Sequence, residues 1–384
     1  MSRSTSHVFT SESVSEGHPD KVCDFIADSI LDAYLAQDPY SRVACEVLVK
    51  DRHVVLAGAI TSRGQVDVEA VAREAIRTIG YVDPSEPFHA DGVDVRVLLT
   101  RQAPEISQGV DVGGAGDQGI MFGYASDETP ALMPLPITLA HALSRRLASD
   151  RHDGVVAWLR PDAKTQVSVR YDGARPVQVD TVLISTQHDA AVAQGEISAY
   201  VRDALIPAVL GEWNHSGLTV LVNPTGSFVQ GGPSADAGVT GRKIIVDSYG
   251  GAGRHGGGAF SGKDGTKVDR SGAYFARFVA RAVVAAGLAS RAEVQVAYAI
   301  GVADPVSVRV ETFGTGDDEG ATRFAEGFDY RPRAIIERLG LRRPIFRTTT
   351  NYGHFGRAGL PWEDEATADD RRRSPGVRSA IAVG

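Results

Sequence analysis

The chain has 384 residues, 43% hydrophobic and 23% charged, the composition of a folded globular protein and not of a disordered one. No apolar run reaches the roughly 18 residues of a membrane span. The polar start MSRSTSHVFT has no signal-peptide core, so a cytoplasmic location is expected. The net charge of -8 argues against general nucleic-acid binding, and two cysteines, Cys23 and Cys45, make neither a disulfide framework nor a zinc site alone.

Pro19 precedes an amphipathic stretch over 20–37, whose Val22, Phe25, Ile26, Ile30, Ala33 and Tyr34 recur at helical spacing. Strand-like runs follow at 43–50 and 54–61, then a helix pattern at 66–79 and an alternating strand at 93–99. The order helix, strand, strand, helix, strand then recurs. Its second pass has a helix at 136–151, strands at 165–171 and 177–185, a helix at 190–210 that Pro207 bends or ends, and a strand at 218–222. The third has a helix at 269–288, strands at 293–300 and 306–312, and a helix at 332–340. The side chains do not match between passes, so the repeat is one of structure. Three α+β units are expected, each with helices covering one face of a sheet.

Two long non-periodic stretches, 100–134 and 224–268, hold most of the excess glycine. Loops this long in compact domains are usually functional or disordered, and the Asp, Gln, Arg and Lys among these glycines favour function.

Three segments carry candidate chemistry. Ser15 to Lys21 reads SEGHPDK at a helix start, where Pro suits the first turn and anions are favoured. His18, Asp20 and Lys21 there offer a donor, a magnesium-type carboxylate and a cation, or else a capping motif with solvated charges. Gly114 to Gly119 matches G-x-G-x-x-G, but no strand leads into it, so a glycine turn presenting Asp117 and Gln118 is expected instead of a dinucleotide site. The richest segment is 249–269. Its Gly257-x4-Gly262-Lys263 is nearly a phosphate-binding P-loop, yet Asp264 replaces the magnesium-holding Ser or Thr, and strand-like 243–246 ends too far upstream. Glycines that let N–H groups approach oxygens, Lys263 and Lys267 as point charges, and Asp269 as a magnesium carboxylate still describe phosphate binding. A flexible glycine linker is the bland alternative. Pro161-Asp162-Ala163-Lys164 and Thr240-Gly241-Arg242-Lys243 fit the same ligand, although each alone reads as surface charge. Only six basic residues are lysine, and five of them (all but Lys50) fall in these motifs, where compact ammonium groups suit a polyphosphate.

Together these runs resemble the S-adenosylmethionine synthetase (methionine adenosyltransferase) family. FTSESVSEGHPDK at 9–21, GAGDQGIMFGYA at 114–125, RPDAKTQV at 160–167 and GRKIIVDSYGG at 241–251 match, as do RHGGGAFSGKDGTKVDRS at 254–271, YAIGVADP at 298–305 and YGHFGR at 352–357. The resemblance covers about 7–365. It implies an α+β fold of three similarly built domains in a pseudo-threefold arrangement, at 7–103, 114–230 and 231–372, with 373–384 as a tail. It implies dimers with shared active sites, commonly paired into tetramers, and ATP and L-methionine as substrates. The methionine sulfur attacks C5′ of ATP and displaces triphosphate, which is then hydrolysed to pyrophosphate and phosphate. Two magnesium ions and one potassium ion assist.

Carried over by position, the resemblance puts His18 near the ribose and the departing oxygen. Asp20 and Asp269 would hold magnesium, and Glu46 potassium. Asp162, Lys164, Phe228, Asp236, Arg242, Lys243, Ala259 and Lys263 would contact ATP, with Lys164, Lys243, Lys263 and Lys267 serving catalysis. Gln102, Asp117, Asp236 and Lys267 would serve methionine, and 102–112 would be a lid. Two departures stand out: Ala59 replaces the family's Glu in Gly-Glu-Ile-Thr, and Ser227 replaces an Arg before Phe228. Divergent methionine specificity, reduced activity, nucleotide binding without turnover and a P-loop-like ATPase or kinase are the competing readings.

Overall fold

The computed structural model describes residues 6–101, 114–367 and 369–371. Gln102 and the expected lid at 102–112 therefore lie outside the described residues, as does the tail at 373–384.

The chain begins with β1 (Ser6–Val14) and runs straight into α1 (Pro19–Gln37). His18 caps α1: its Nδ1 accepts the N–H of Asp20 at 3.1 Å, and Pro19 supplies a pre-set first turn. The helix is buried nearly all round, with Val22, Ile26, Ala27, Ile30 and Leu31 inaccessible to solvent. It lies against β2 (Arg42–Lys50), which pairs antiparallel with β3 (His53–Thr61). Next comes α2 (Val68–Ile79), capped by Asp67 at its start and by left-handed Gly80 at its end. Then β4 (Asp94–Thr100) joins β3 in parallel. Apart from β1, which the periodicity does not indicate, these elements follow the sequence pattern within a few residues.

Beyond them lie β5 (Gly119–Ser126), α3 (Leu135–His152), β6 (Leu159–Asp172) and β7 (Arg175–His188). The helix expected at 190–210, bent or ended by Pro207, is α4 (Gln194–Ala199), a π-helical turn (Tyr200–Leu205) and α5 (Ile206–Leu210). Proline at 207 offers no N–H to a regular helix, and the wider π turn precedes it. After β8 (Thr219–Val222) comes the short β9 (Gly238–Val239). The strand-like run at 243–246 is instead the helical turn α6 (Ile244–Asp247). The chain finishes with α7 (Val268–Ala285), β10 (Arg291–Tyr298), β11 (Ser307–Glu311), α8 (Asp318–Ala325) and α9 (Pro332–Arg338).

Among the described residues there are three sheets, but they are not three consecutive stretches of chain. Their strand orders are β1-β6-β7-β8, β11-β10-β5 and β4-β3-β2-β9. Strand β1 belongs with the second unit, pairing Val14 with Lys164, and β5 pairs with β10 of the third. One core follows this interleaving, joining α1, β2 and β3 to α7 and the 328–362 segment around buried Trp362. A second core packs α3 and the turns at 200–210 against β6 and β7. The architecture is α+β, with helices packed on sheets.

Candidate functional site

Strand β1 delivers SEGHPDK to its place. Ser15 staples this segment to the Pro161–Lys164 motif: its Oγ donates to the Pro161 carbonyl at 2.6 Å and accepts the Ala163 N–H at 2.7 Å. Gly17 completes the seat, because a Cβ there would lie 2.3 Å from the carbonyl carbon of Pro161. Tyr81 Oη donates to the Gly17 carbonyl at 2.5 Å. The two motifs, about 140 residues apart in sequence, are thereby neighbours.

Around this seat stands the first group of candidate residues. Asp20 Oδ2 pairs with Lys243 Nζ at 2.6 Å, while its Oδ1 accepts the Val239 N–H at 3.0 Å. The Arg242 guanidinium lies 3.6 Å from the same carboxylate. Burial opposes ionisation of Asp20, but the Lys243 hydrogen bond and Val239 N–H outweigh it and hold the carboxyl below its usual range. His18 is almost wholly buried, and its pKa is pushed down to about 3 by that burial and then by the Lys243 charge, with Lys164 and Lys21 adding to it. The ring is neutral at physiological pH. Because Nδ1 accepts the helix N–H, the proton sits on Nε2, which is left as a donor.

Asp162 is buried too. One oxygen accepts the Gly232 N–H at 2.8 Å, the other has no protein partner, and burial pushes its pKa up to about 6. Phe228 is anchored through its backbone, which exchanges two hydrogen bonds with His188. Asp236 and Lys164 are exposed.

A second group gathers on the glycine-rich segment. Lys263 Nζ meets Asp269 Oδ2 at 2.7 Å, and Lys267 Nζ meets Asp264 Oδ1 at 2.7 Å. Glu46, on the open face of β2, feels the Lys263 charge. Ala44 bridges to Lys263 and fixes this loop to β2. Among the described residues no hydrogen bond or ion pair joins the two groups. Asp117 is exposed in a bend, where its carboxylate caps the Gln118 N–H. A strand follows this bend, which accords with the rejection of a dinucleotide fingerprint.

One reading needs correction. Lys21 is not a cation presented to a ligand: its ammonium is 1% exposed and held by Asp24 at 2.9 Å and Asp247 at 2.5 Å. Burial opposes its charge, and the two carboxylates overcome that and raise its pKa. The carboxylates Asp24, Asp28 and Asp247 and the buried Arg270 were all missed in the sequence. For Asp24 and Asp28 a signal was available, because Asp recurs every fourth residue along α1.

Three domain models of one family match nearly the whole chain in the right order: the S-adenosylmethionine synthetase N-terminal domain at 6–104, central domain at 112–228 and C-terminal domain at 230–364. The chain belongs to the S-adenosylmethionine synthetase family. Similar curated proteins agree. The S-adenosylmethionine synthase of Desulforudis audaxviator is 54% identical over 95% of this chain and 98% of its own. That of Akkermansia muciniphila is 54% identical over 94% and 96%, and that of Nocardia farcinica 52% over 98% and 100%. Members of this family act on ATP and methionine, use divalent and monovalent metal ions, and are typically oligomeric. Among the described residues no helix is long and apolar enough to cross a membrane.

Proposed function

We propose that this chain makes S-adenosylmethionine from ATP, L-methionine and water, releasing phosphate and diphosphate. The observation that carries the proposal is the convergence of the SEGHPDK, PDAK and GRK segments on the N-terminus of α1, with a neutral histidine among lysines. The methionine sulfur forms its bond to C5′ as the C5′–oxygen bond breaks, and the electron pair leaves with the triphosphate. No protein nucleophile is needed. The protein aligns three atoms and stabilises the departing charge. His18 donates a hydrogen bond through Nε2 to the departing oxygen. Lys164, Arg242, Lys243 and Lys263 hold the phosphates, and Lys267 serves both phosphates and methionine. Asp162, Phe228, Asp236 and Ala259 line the nucleotide side, and Asp117, Asp236 and Gln102 the methionine side.

Among the described residues no three potential metal ligands cluster. Asp20 and Asp269, each paired here with one lysine, nevertheless fit magnesium, which takes one or two carboxylates and completes its shell with phosphate oxygens and water. In this reading Asp20 and Asp269 hold two magnesium ions per site and Glu46 one potassium ion, which supply charge neutralisation to the triphosphate. Active sites shared between subunits, in a dimer or a dimer of dimers, go with this reading. A cytoplasmic location goes with this reading.

The test is product analysis. The protein is incubated with ATP, methionine, magnesium and potassium, and products are followed by mass spectrometry. S-adenosylmethionine with diphosphate and phosphate is expected. ADP in their place, or nucleotide binding without any product, would overturn the proposal.

A further inference from the structure

Four aspartates stand at every fourth position of α1: Asp20, Asp24, Asp28 and Asp32. That spacing puts them along one face. Each accepts backbone N–H groups from a distant part of the chain. Asp20 takes Val239 at 3.0 Å, Asp24 takes Gly241 at 2.9 Å, and Asp28 takes Gly262 at 2.8 Å. Asp32 takes Phe346 and Arg347 at 3.0 and 2.8 Å. The two middle carboxylates are fully buried. Each is matched by a buried cation: Asp24 by Lys21 at 2.9 Å, and Asp28 by Arg270, whose two terminal nitrogens both lie 2.7 Å from its oxygens. Arg270 also donates to the Lys263 carbonyl at 3.1 Å, so the loop is gripped on both sides of Gly262.

Gly241 and Gly262 are the residues immediately before Arg242–Lys243 and Lys263. We propose that Asp24 and Asp28 are positioning residues for the triphosphate site, fixing the backbone of the two cation-bearing loops before any nucleotide arrives. This inference rests on the function proposed above. Cations brought together to receive a polyphosphate repel one another until it binds, and loops alone would let them separate. A hydrogen bond to a buried carboxylate, just upstream of the cations on each loop, holds the backbone in place. Burying these carboxylates is tolerable because each is paired. Asp32 uses the same device on a segment that carries none of the candidate residues, and it supplies an internal control.

The experiment compares Asp24→Ala, Asp24→Asn, Asp28→Asn and Asp32→Ala in the full-length protein, well below their thermal midpoints. Asp24→Ala is expected to raise KM for ATP by about tenfold or more while KM for methionine stays within about twofold. Asp24→Asn keeps an acceptor for the Gly241 N–H and restores most of the ATP affinity. Asp28→Asn, which likewise keeps an acceptor, is expected to weaken ATP binding less than Asp24→Ala. Asp32→Ala lowers the thermal midpoint and leaves KM for ATP within about twofold of wild type. If Asp24→Ala and Asp32→Ala have the same KM for ATP, the positioning role is overturned. Amide hydrogen exchange on the ligand-free wild-type protein needs no variant. The Gly241 and Gly262 amides are expected to exchange as slowly as strand amides, and exchange at open-loop rates would sink the idea. Wild-type protein that makes no S-adenosylmethionine would instead refute the proposed function, and the amide measurement would still judge the positioning.

Discussion

Replacing Gly262 by alanine is a direct measure of how rigidly the phosphate segment is held. Gly262 has φ +81°, in the left-handed region that costs other residues about 1–2 kcal/mol. An added Cβ would lie 2.0 Å from the Cys45 carbonyl oxygen on β2 and 3.2 Å from the Ala27 Cβ on α1. The backbone has no slack to relieve this. Its N–H is given to Asp28 at 2.8 Å, and its carbonyl accepts the Cys45 N–H at 3.0 Å. Relief therefore breaks a hydrogen bond to a charged group, a further ~1.5–3 kcal/mol. Gly257 in the same segment is the comparison. It also has positive φ, +93°, but nothing lies within 4 Å of its Cβ position, so Gly257→Ala incurs only the backbone cost. The two variants should differ by about 1.5–3 kcal/mol in unfolding free energy. Urea unfolding followed by circular dichroism measures this, with m-values compared so that midpoints can be read as stabilities. Equal midpoints at equal m would refute the claim that Gly262 is pinned.

Three further expectations follow from the site and the core. His18→Ala removes the Nε2 donor and should lower the rate of S-adenosylmethionine formation by about 10²-fold or more, with ATP affinity little changed; equal loss of rate and affinity would remove its assigned role. Ala59 shares a face of β3 with Ala57, which stands opposite Glu46. Ala59→Glu, which restores the carboxylate of the family pattern, should lower KM for methionine by about tenfold or more if that carboxylate meets the amino group. An unchanged KM would count against any such contact. His141, buried and bonded to Ser13 at 2.8 Å, has its pKa pushed down to about 3 by burial, so the folded protein keeps it neutral while the unfolded chain protonates near 6.5. Stability from this side chain is whole above pH 6.5 and is lost as pH falls toward 3, about 2 kcal/mol by pH 5. His141→Gln should accordingly show a smaller drop in urea midpoint between pH 7 and pH 5 than wild type, and an equal drop would contradict the argument.

The sequence was most readable where a single local rule decided the outcome. Periodicity located α1, β2, β3 and α7 because each buries a face at a fixed spacing. It failed for β1, whose SHVFTSESV is polar and becomes a strand only against a partner about 150 residues away. Strand β5 was hidden because its glycines look like loop, although Gly123 is there so that the strand can approach the backbone of α7 at Ala276. At the site, the motifs revealed which residues gather but not which way they point. Lys21 stands beside Asp20 in sequence, yet one helix position turns it inward to Asp24 and Asp247. The run of aspartates on α1 was legible as a spacing. Read alone it suggests a solvated face, and only the loops packed over it show that the face is interior.

The pairing of β1 with β6 also constrains how the protein is born. The first strand leaves the ribosome about 150 residues before its partner, which at typical synthesis speeds is roughly ten to thirty seconds. During that wait it is an unpaired edge with an exposed apolar residue at Val8. Of the other two sheets, β4-β3-β2-β9 closes only when Gly238–Val239 arrives, and β11-β10-β5 only in the last third of the chain. A nascent chain stopped at residue 104 thus lacks any finished sheet on which to settle, whereas one stopped at 228 has completed only β1-β6-β7-β8. A message truncated at residue 104 should therefore yield a fragment fit for proteolysis and not a small stable domain, and successful synthesis should depend on chaperones that shield β1 until β6 arrives.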